Sequence, residues 1–384
     1  MGTRSSHSRL SAWAATIGVI ALVVGACSTA ASPSPSAQAT AAATAAATAA
    51  ATAAPTEAPT AAPSVANTIQ RMAVISPEKA NDFGWNQQGV DGAKAAAASV
   101  GATIEVADGS GYDDPSPILR QLADGGAQFI VAQASGYNTA APQFAAETGI
   151  PVIVYDAPDA TKPGLVADVL TNAQEGAYLA GVLAASMSKT GTLGMVISAD
   201  TPSWHKANGG FVAGAKSVNP KIKFLQAQIG PAGYADAEGG KRVTETVIAG
   251  GADIVFGQGD GASFGMLQAV ETAAPPAGAD KVWFIDVIGD KTSIDKKGVL
   301  LSSVLWDFTG TIKQAIADIA AGTFGNQGYV QDVGNGGIAL LQTANITPDA
   351  WTAVEAAKAG IADGTIVVPV TTTQAAVDAL IAAK

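Results

Sequence analysis

Trp85 stands in the run Asn81-Asp82-Phe83-Gly84-Trp85-Asn86, which sets an aromatic face beside a carboxylate and a carboxamide. Such a face can stack on a planar base, a contact worth roughly 0.5 to 1.5 kcal/mol beyond burial, while Asp82 or Asn86 hydrogen-bonds the base's polar edge. The alternative is a structural role, with Trp85 covering a core and Asp82 capping the following helix. Asp286 ends an apolar run and precedes Val287-Ile288-Gly289-Asp290. From there its carboxylate is expected to open into a crevice and accept from two vicinal hydroxyls of a ribose or another polyol. Each hydrogen bond to a charged group is worth roughly 1.5 to 3 kcal/mol. Asp290 and Lys291, in the same segment, are expected in solvent.

Gly257-Gln258-Gly259-Asp260-Gly261 lacks the Lys-Ser or Lys-Thr pair of a Walker loop. Its glycines instead suit backbone amides that approach a ligand closely, which makes Gly259 and Asp260 candidates. Ser135 and Tyr137, in the polar stretch 133–138, are further candidates, as is Trp204 beside His205, although a loop tryptophan also serves as a surface plug. Enzymatic chemistry finds little to work with. The chain has two histidines, His7 and His205, and one cysteine, Cys27. No nucleophile with a partner base can be assembled from them, a His or Cys metal site is excluded, and no cofactor is called for. The formal net charge of −11 argues against nucleic acid as a partner.

The elements that must hold these residues follow from patterning. Arg4 and Arg9, an apolar run over residues 12–24, and Val24-Gly25-Ala26-Cys27 form an export leader over residues 1–26. Its apolar part is shorter than the ~20 residues a membrane span requires. Cys27 follows small residues in the manner of a lipidation site, so the mature chain is expected outside the cytoplasm, anchored to the cell membrane by lipid. Residues 27–66 are dominated by Ala, Thr, Pro and Ser, a composition that suits a tether and not a core. Beyond it, apolar runs at 72–75, 103–106, 129–132 and 151–155 alternate with helical stretches at 87–100, 118–125 and 141–147. A second series starts with a helix at 174–187 and continues with strands at 193–197, 222–226, 254–256, 282–285 and 300–305, and helices at 209–217, 239–249 and 264–272. Alternation of this kind predicts an α/β protein with two doubly wound parallel-sheet lobes. Polar clusters at 76–86, 133–138, 200–205, 257–263 and 286–291 follow strand ends, where such sheets bind ligands in a crevice.

The runs Asn81-Asp82-Phe83-Gly84-Trp85-Asn86, Gln174-Glu175-Gly176-Ala177-Tyr178-Leu179-Ala180-Gly181, Ser188-Lys189-Thr190-Gly191, Asn208-Gly209-Gly210-Phe211-Val212-Ala213-Gly214-Ala215 and Gly250-Gly251-Ala252-Asp253-Ile254-Val255-Phe256 occur in an order and spacing that resembles the basic membrane protein family of binding lipoproteins. Its best-understood members bind purine nucleosides. The resemblance covers roughly residues 71–342. It implies the type I periplasmic-binding-protein fold, with three crossings near 168–172, 305–309 and 329–336. Lobe 1 would hold 67–170 plus 307–332, and lobe 2 would hold 171–306 plus 333–384. It also implies a monomeric solute-binding subunit that serves an ABC permease and ATPase, with Trp85 and Asn86 in contact with solute. Tyr234, in Gly233-Tyr234-Ala235-Asp236, would supply an opposing stacking face. Nucleoside-binding relatives often carry a lysine near the second crossing, where this chain has Trp306-Asp307. Trp306 thus joins the ligand-contact candidates, and nucleoside, free nucleobase and sugar all stay open as solutes, as does a sensory binder without transport.

Overall fold

The computed structural model describes residues 68–383. The leader, Cys27 and the tether lie outside the described residues. The first series of elements is β1 (Arg71–Ser76), α1 (Trp85–Ser99), β2 (Thr103–Asp108), α2 (Ser116–Asp124), β3 (Ile130–Ala132), α3 (Ala140–Thr148), β4 (Val152–Tyr155) and β5 (Val166–Thr171). β3 and β4 are buried at every position, as strands covered on both faces must be. With a late strand, β11 (Tyr329–Gln331), they form an all-parallel sheet of order β11-β5-β4-β3-β1-β2.

The second series is α4 (Ala173–Met187), β6 (Thr192–Ile197), α5 (Pro202–Val218), β7 (Lys223–Gln228), α6 (Ala237–Ala249), β8 (Ile254–Gln258), α7 (Ala262–Thr272), β9 (Trp283–Ile288) and β10 (Leu300–Trp306). Its sheet has the order β12-β10-β9-β8-β6-β7, with β12 (Ile338–Leu340) as an antiparallel edge. The chain passes between sheets after β5, after β10 and after β11. The helix that follows β10, α8 (Thr309–Ala321), returns to pack on α1, whereas α9 (Pro348–Ala362) lies on α4 and α10 (Gln374–Ala382) on α5. Two doubly wound sheets joined by three crossings are the type I periplasmic-binding-protein arrangement.

Two local departures matter for the site. α5 starts at Pro202 and not at 209, because Thr201 Oγ1 accepts from Trp204 N at 3.5 Å and Pro202 occupies the first helical position. The expected loop at 200–205 is therefore mostly the first turn of a helix. β9 runs on to Ile288, which places Asp286 inside a strand and not at its end.

One continuous apolar cluster runs through both lobes, joining α1 and α8 to α4, α5 and the inner sheet faces. Separate clusters lie under α2 and α3 on one outer face and under α6 and α7 on the other. α4 and α5 approach so closely that a Cβ on Gly210 would stand 2.1 Å from Gln174 O, one on Gly214 2.0 Å from Tyr178 O, and one on Gly181 2.1 Å from Phe211 O. Gly181, Gly210 and Gly214 of the two long sequence motifs are thus contact points between helix backbones, whereas Gly176 packs on Val304 and Ile338 and Gly209 on Thr371. Gly210→Ala should lower unfolding stability by about 1 to 3 kcal/mol through overpacking. Gly310→Ala, in α8 with nothing within 4 Å of its Cβ position, should raise it by roughly 0.4 to 1 kcal/mol. Denaturant titration of both variants checks the pair.

Candidate functional site

The segment 77–84 joins β1 to α1 and is organised by one carboxylate. Asp82 Oδ1 accepts from Gly84 N (2.9 Å) and Gln87 N (3.0 Å), and Oδ2 accepts from Asn86 N (3.1 Å) and Asn86 Nδ2 (2.7 Å). Asn86 Oδ1 in turn accepts from Glu78 N at 3.2 Å. Asn86 is fully buried, so both ends of its amide belong to the loop. The structure therefore corrects the expectation that Asp82 and Asn86 present free groups to a solute edge: they cap α1 and hold its leading turn.

That turn aims Trp85. Its Nε1 donates to Gln133 O at 2.8 Å, and its ring meets Tyr155, Phe308 and Trp306 edge to face at centroid distances of 5.2, 5.2 and 5.9 Å. Tyr155 ends β4, Trp306 ends β10 and Phe308 lies in the second crossing, so the aromatic cluster sits where the lobes join.

From the second lobe, Asp260, after β8, reaches Trp85 N directly, and Asp286, on β9, is linked to the Trp85 loop through Lys291. Asp260 Oδ1 accepts from Trp85 N at 3.2 Å, across the lobes. Burial, reinforced by the Asp82 carboxylate, pushes its pKa up to about 8, against the Trp85 N–H and Lys291, which pull it down. Asp286 is wholly buried; its Oδ1 accepts from Ser263 Oγ at 2.9 Å, and Lys291 Nζ stands 3.1 Å from Oδ2. Burial raises the Asp286 pKa, and Lys291 opposes that shift. Lys291 corrects a second expectation. It is 1% exposed, and it donates to Val287 O at 2.9 Å and to Phe83 O of the first lobe at 2.8 Å. Asp290 is exposed, as expected of a solvated acid.

The remaining candidates separate from this group. Tyr234 stacks on Tyr112 of the first lobe (6.0 Å, 19°) and not opposite Trp85. Trp204 is buried in the core with Nε1 donating to Ser198 Oγ at 3.1 Å. Tyr137 is likewise a core residue whose hydroxyl donates to Gly111 O at 2.6 Å, while Ser135 is exposed. Gly259 faces Ala262 and Met266, where a Cβ would stand 3.1 and 3.2 Å away, so its smallness serves the packing of α7. Sequence reasoning passed over Gln133 and Tyr155, which the fold brings to Trp85. It also passed over Asp156, whose carboxylate takes Lys206 Nζ at 3.1 Å and Ser203 Oγ at 3.3 Å across the lobes beside the first crossing. The only available signal was their position just after apolar runs.

The family profile described as ABC transporter substrate-binding protein, PnrA-like, matches residues 69–370. The chain is 34% identical over 207 residues to the ABC transporter nucleoside-binding protein BmpA of Lactococcus lactis, a match covering 51% of this chain and 58% of that protein. It is 29% identical over 188 residues to a purine-binding protein of Brucella abortus, covering 45% and 50%. The chain thus spans about half the length of these curated relatives. A solved ABC transporter solute-binding protein from Aeropyrum pernix superposes with a TM-score of 0.67 at 20% identity, covering 81% of this chain and 96% of that one, which shows a shared fold.

The raised pKa of Asp260 has a definite sign. An unfolded aspartate ionises near pH 3.9, whereas the folded one holds its proton to about pH 8. The group's contribution to stability therefore falls as pH rises from about 4 to about 8 and is level above that. Asp260→Asn, which keeps an acceptor for Trp85 N–H, should melt close to the parent at pH 4.5 and several degrees above it at pH 8.5. Parallel melting curves at both pH values test this, and a parent more stable than the variant at pH 8.5 would contradict it.

Proposed function

Because the chain belongs to the Bmp family of PnrA-like ABC transporter substrate-binding proteins, we propose that it is the lipid-anchored solute-capturing subunit of an ABC importer, and that its solute is a purine nucleoside. The family is one of binding proteins and not of enzymes, consistent with the histidine and cysteine inventory. The observation that carries the solute assignment is an aromatic cluster around Trp85, drawn from both lobes, together with the buried Asp286 carboxylate of the second lobe. The relatives named nucleoside-binding and purine-binding support the same solute class.

The chemistry is that of capture by closure. Three crossings let the lobes rotate about a few residues. With the lobes together, the base lies against the Trp85 cluster. A carboxylate offers about four acceptor sites. Ser263 Oγ and Lys291 take one oxygen each in part, which leaves lone pairs for the paired ribose hydroxyls. The Lys291 ammonium beside the acid opposes the upward pull of burial on its pKa. The Asp260 and Lys291 contacts to Trp85 N and Phe83 O then hold the lobes shut over the solute.

A thermal-shift panel of purine nucleosides, free purines and sugars should favour the nucleosides, since a ligand that binds only the folded state raises its melting temperature. Asp286→Asn, checked for folding by circular dichroism, should weaken nucleosides roughly tenfold to a hundredfold and free bases little. If sugars alone shift the transition, the purine assignment is wrong. Anchoring is tested separately: Cys27→Ser should move the full-length protein from the detergent phase to the aqueous phase, and unchanged partitioning refutes a lipid on Cys27.

A further inference from the structure

Trp306 closes β10 at the second crossing, and its side chain is 3% exposed. Its indole Nε1 is buried and has no hydrogen-bond partner among the described residues. That is unusual chemistry for a buried donor, because indole N–H groups find partners when taken out of water and an unmet one is destabilising. Two other tryptophans of this protein obey the rule, Trp85 through Gln133 O and Trp204 through Ser198 Oγ. Trp306 does not stand alone in its neighbourhood. The Tyr155 hydroxyl and Gln133 Oε1 are also buried without a partner among the described residues. All three residues gather on Trp85: Trp306 and Tyr155 by ring contact, and Gln133 through its backbone O, which accepts from Trp85 Nε1, and its side-chain Nε2, which donates to Trp85 O at 3.4 Å. Burial also raises the Tyr155 pKa, so its hydroxyl keeps its proton. Donor, hydroxyl and acceptor are all uncharged, in contrast to the Asp286 and Lys291 side of the cleft.

We propose that the Trp306 indole N–H is a specificity-determining hydrogen-bond donor to a ring nitrogen of the solute's purine, within a neutral subsite that Tyr155 and Gln133 complete around Trp85. The proposal rests on the purine-nucleoside reading and adds to it which group reads the base. A single neutral donor fixes where an acceptor must stand on the ring. It discriminates against an analogue that offers carbon or N–H at that place, since the indole N–H then stays unmet in the closed cleft.

The test is titration calorimetry of the folded protein with adenosine, whose base has three ring-nitrogen acceptors, and with its 1-deaza, 3-deaza and 7-deaza analogues. Parent and Trp306→Phe, which keeps an aromatic ring and removes the N–H, are compared. For adenosine, Trp306→Phe should lose about tenfold in affinity or more, the cost of one unmet hydrogen bond. In the parent, one deaza analogue should lose a similar factor, and Trp306→Phe should no longer distinguish that analogue from adenosine. The parent measurements need no variant, so poor folding of Trp306→Phe does not shield the idea: equal affinity of the parent for all three analogues and adenosine overturns it. It is also overturned if Trp306→Phe binds adenosine within twofold of the parent, or if every analogue loses the same factor in both proteins. A parent that binds no purine nucleoside overturns the solute assignment itself, a result distinct from tight adenosine binding that ignores Trp306.

Discussion

Asp286 and Lys291 form an ion pair with essentially no water around it, and such a pair costs stability unless fixed partners meet much of its bonding capacity. Those partners tie the site together. Ser263, in the first turn of α7, holds one carboxylate oxygen, Val287 O holds the ammonium within the second lobe, and Phe83 O draws the ammonium toward the first. Lys291 is therefore both counter-charge to the acid and a strut between lobes. Removing it would leave a buried carboxylate whose raised pKa had lost its main opposing influence, and would free the loop that carries Trp85. The arrangement of Asp260 follows from the same contact. With Phe83 held against the second lobe, Gly84 lies so close that a Cβ there would stand 3.0 Å from Asp260 Oδ1, and the Asp82 carboxylate comes near enough to raise the Asp260 pKa.

The fold was legible in the sequence because its strands are short, nearly all-apolar runs between helical stretches, as in β1 and β4. What escaped lies where periodicity is weak. β5 contains Asp168 in the middle of its apolar residues, β11 and β12 are three residues each, and α9 and α10 are alanine-rich with little contrast between faces. The site was less legible for a different reason. Trp85, Asp260, Asp286 and Trp306 were visible as polar or aromatic residues beside strand ends, but the partner that decides the character of each is remote in the chain. Lys291 reads as a loop lysine until Phe83, far upstream, is set beside it, and Tyr234 reads as a face for a base until Tyr112 occupies that face.

Motif glycines and polar residues also divide differently from what their sequence strings suggest. Asp82 and Asn86 sit in one of the runs that resemble the family, yet their side chains are spent on the start of α1 and the loop before it, which aims Trp85. Gly181, Gly210 and Gly214 lie far from Trp85 in role, since they let α4 and α5 touch along their backbones. Recurrence of a string therefore marks two separate demands: a rigid second lobe built on close helices, and a loop that fixes one tryptophan. Each demand constrains residue type tightly, so sequence resemblance alone does not separate them.

Backbone strain is placed on both sides of the contact between lobes. Phe83 has φ 52°, and Ile288, a β-branched residue for which the left-handed region is costly, has φ 72°. Gly289, next to Ile288, lies so close to Phe83 that a Cβ on it would stand 2.1 Å from Phe83 O. Asp156, at φ 52°, occupies the equivalent place beside the first crossing, where it receives Lys206 and Ser203 from the other lobe. Residues in such conformations cost of order 1 to 3 kcal/mol each and persist where surrounding contacts over-determine them. Here the contacts concerned are the ones that bridge the lobes. Any separation of the lobes would have to break those bonds and, with them, the restraint on the strained residues.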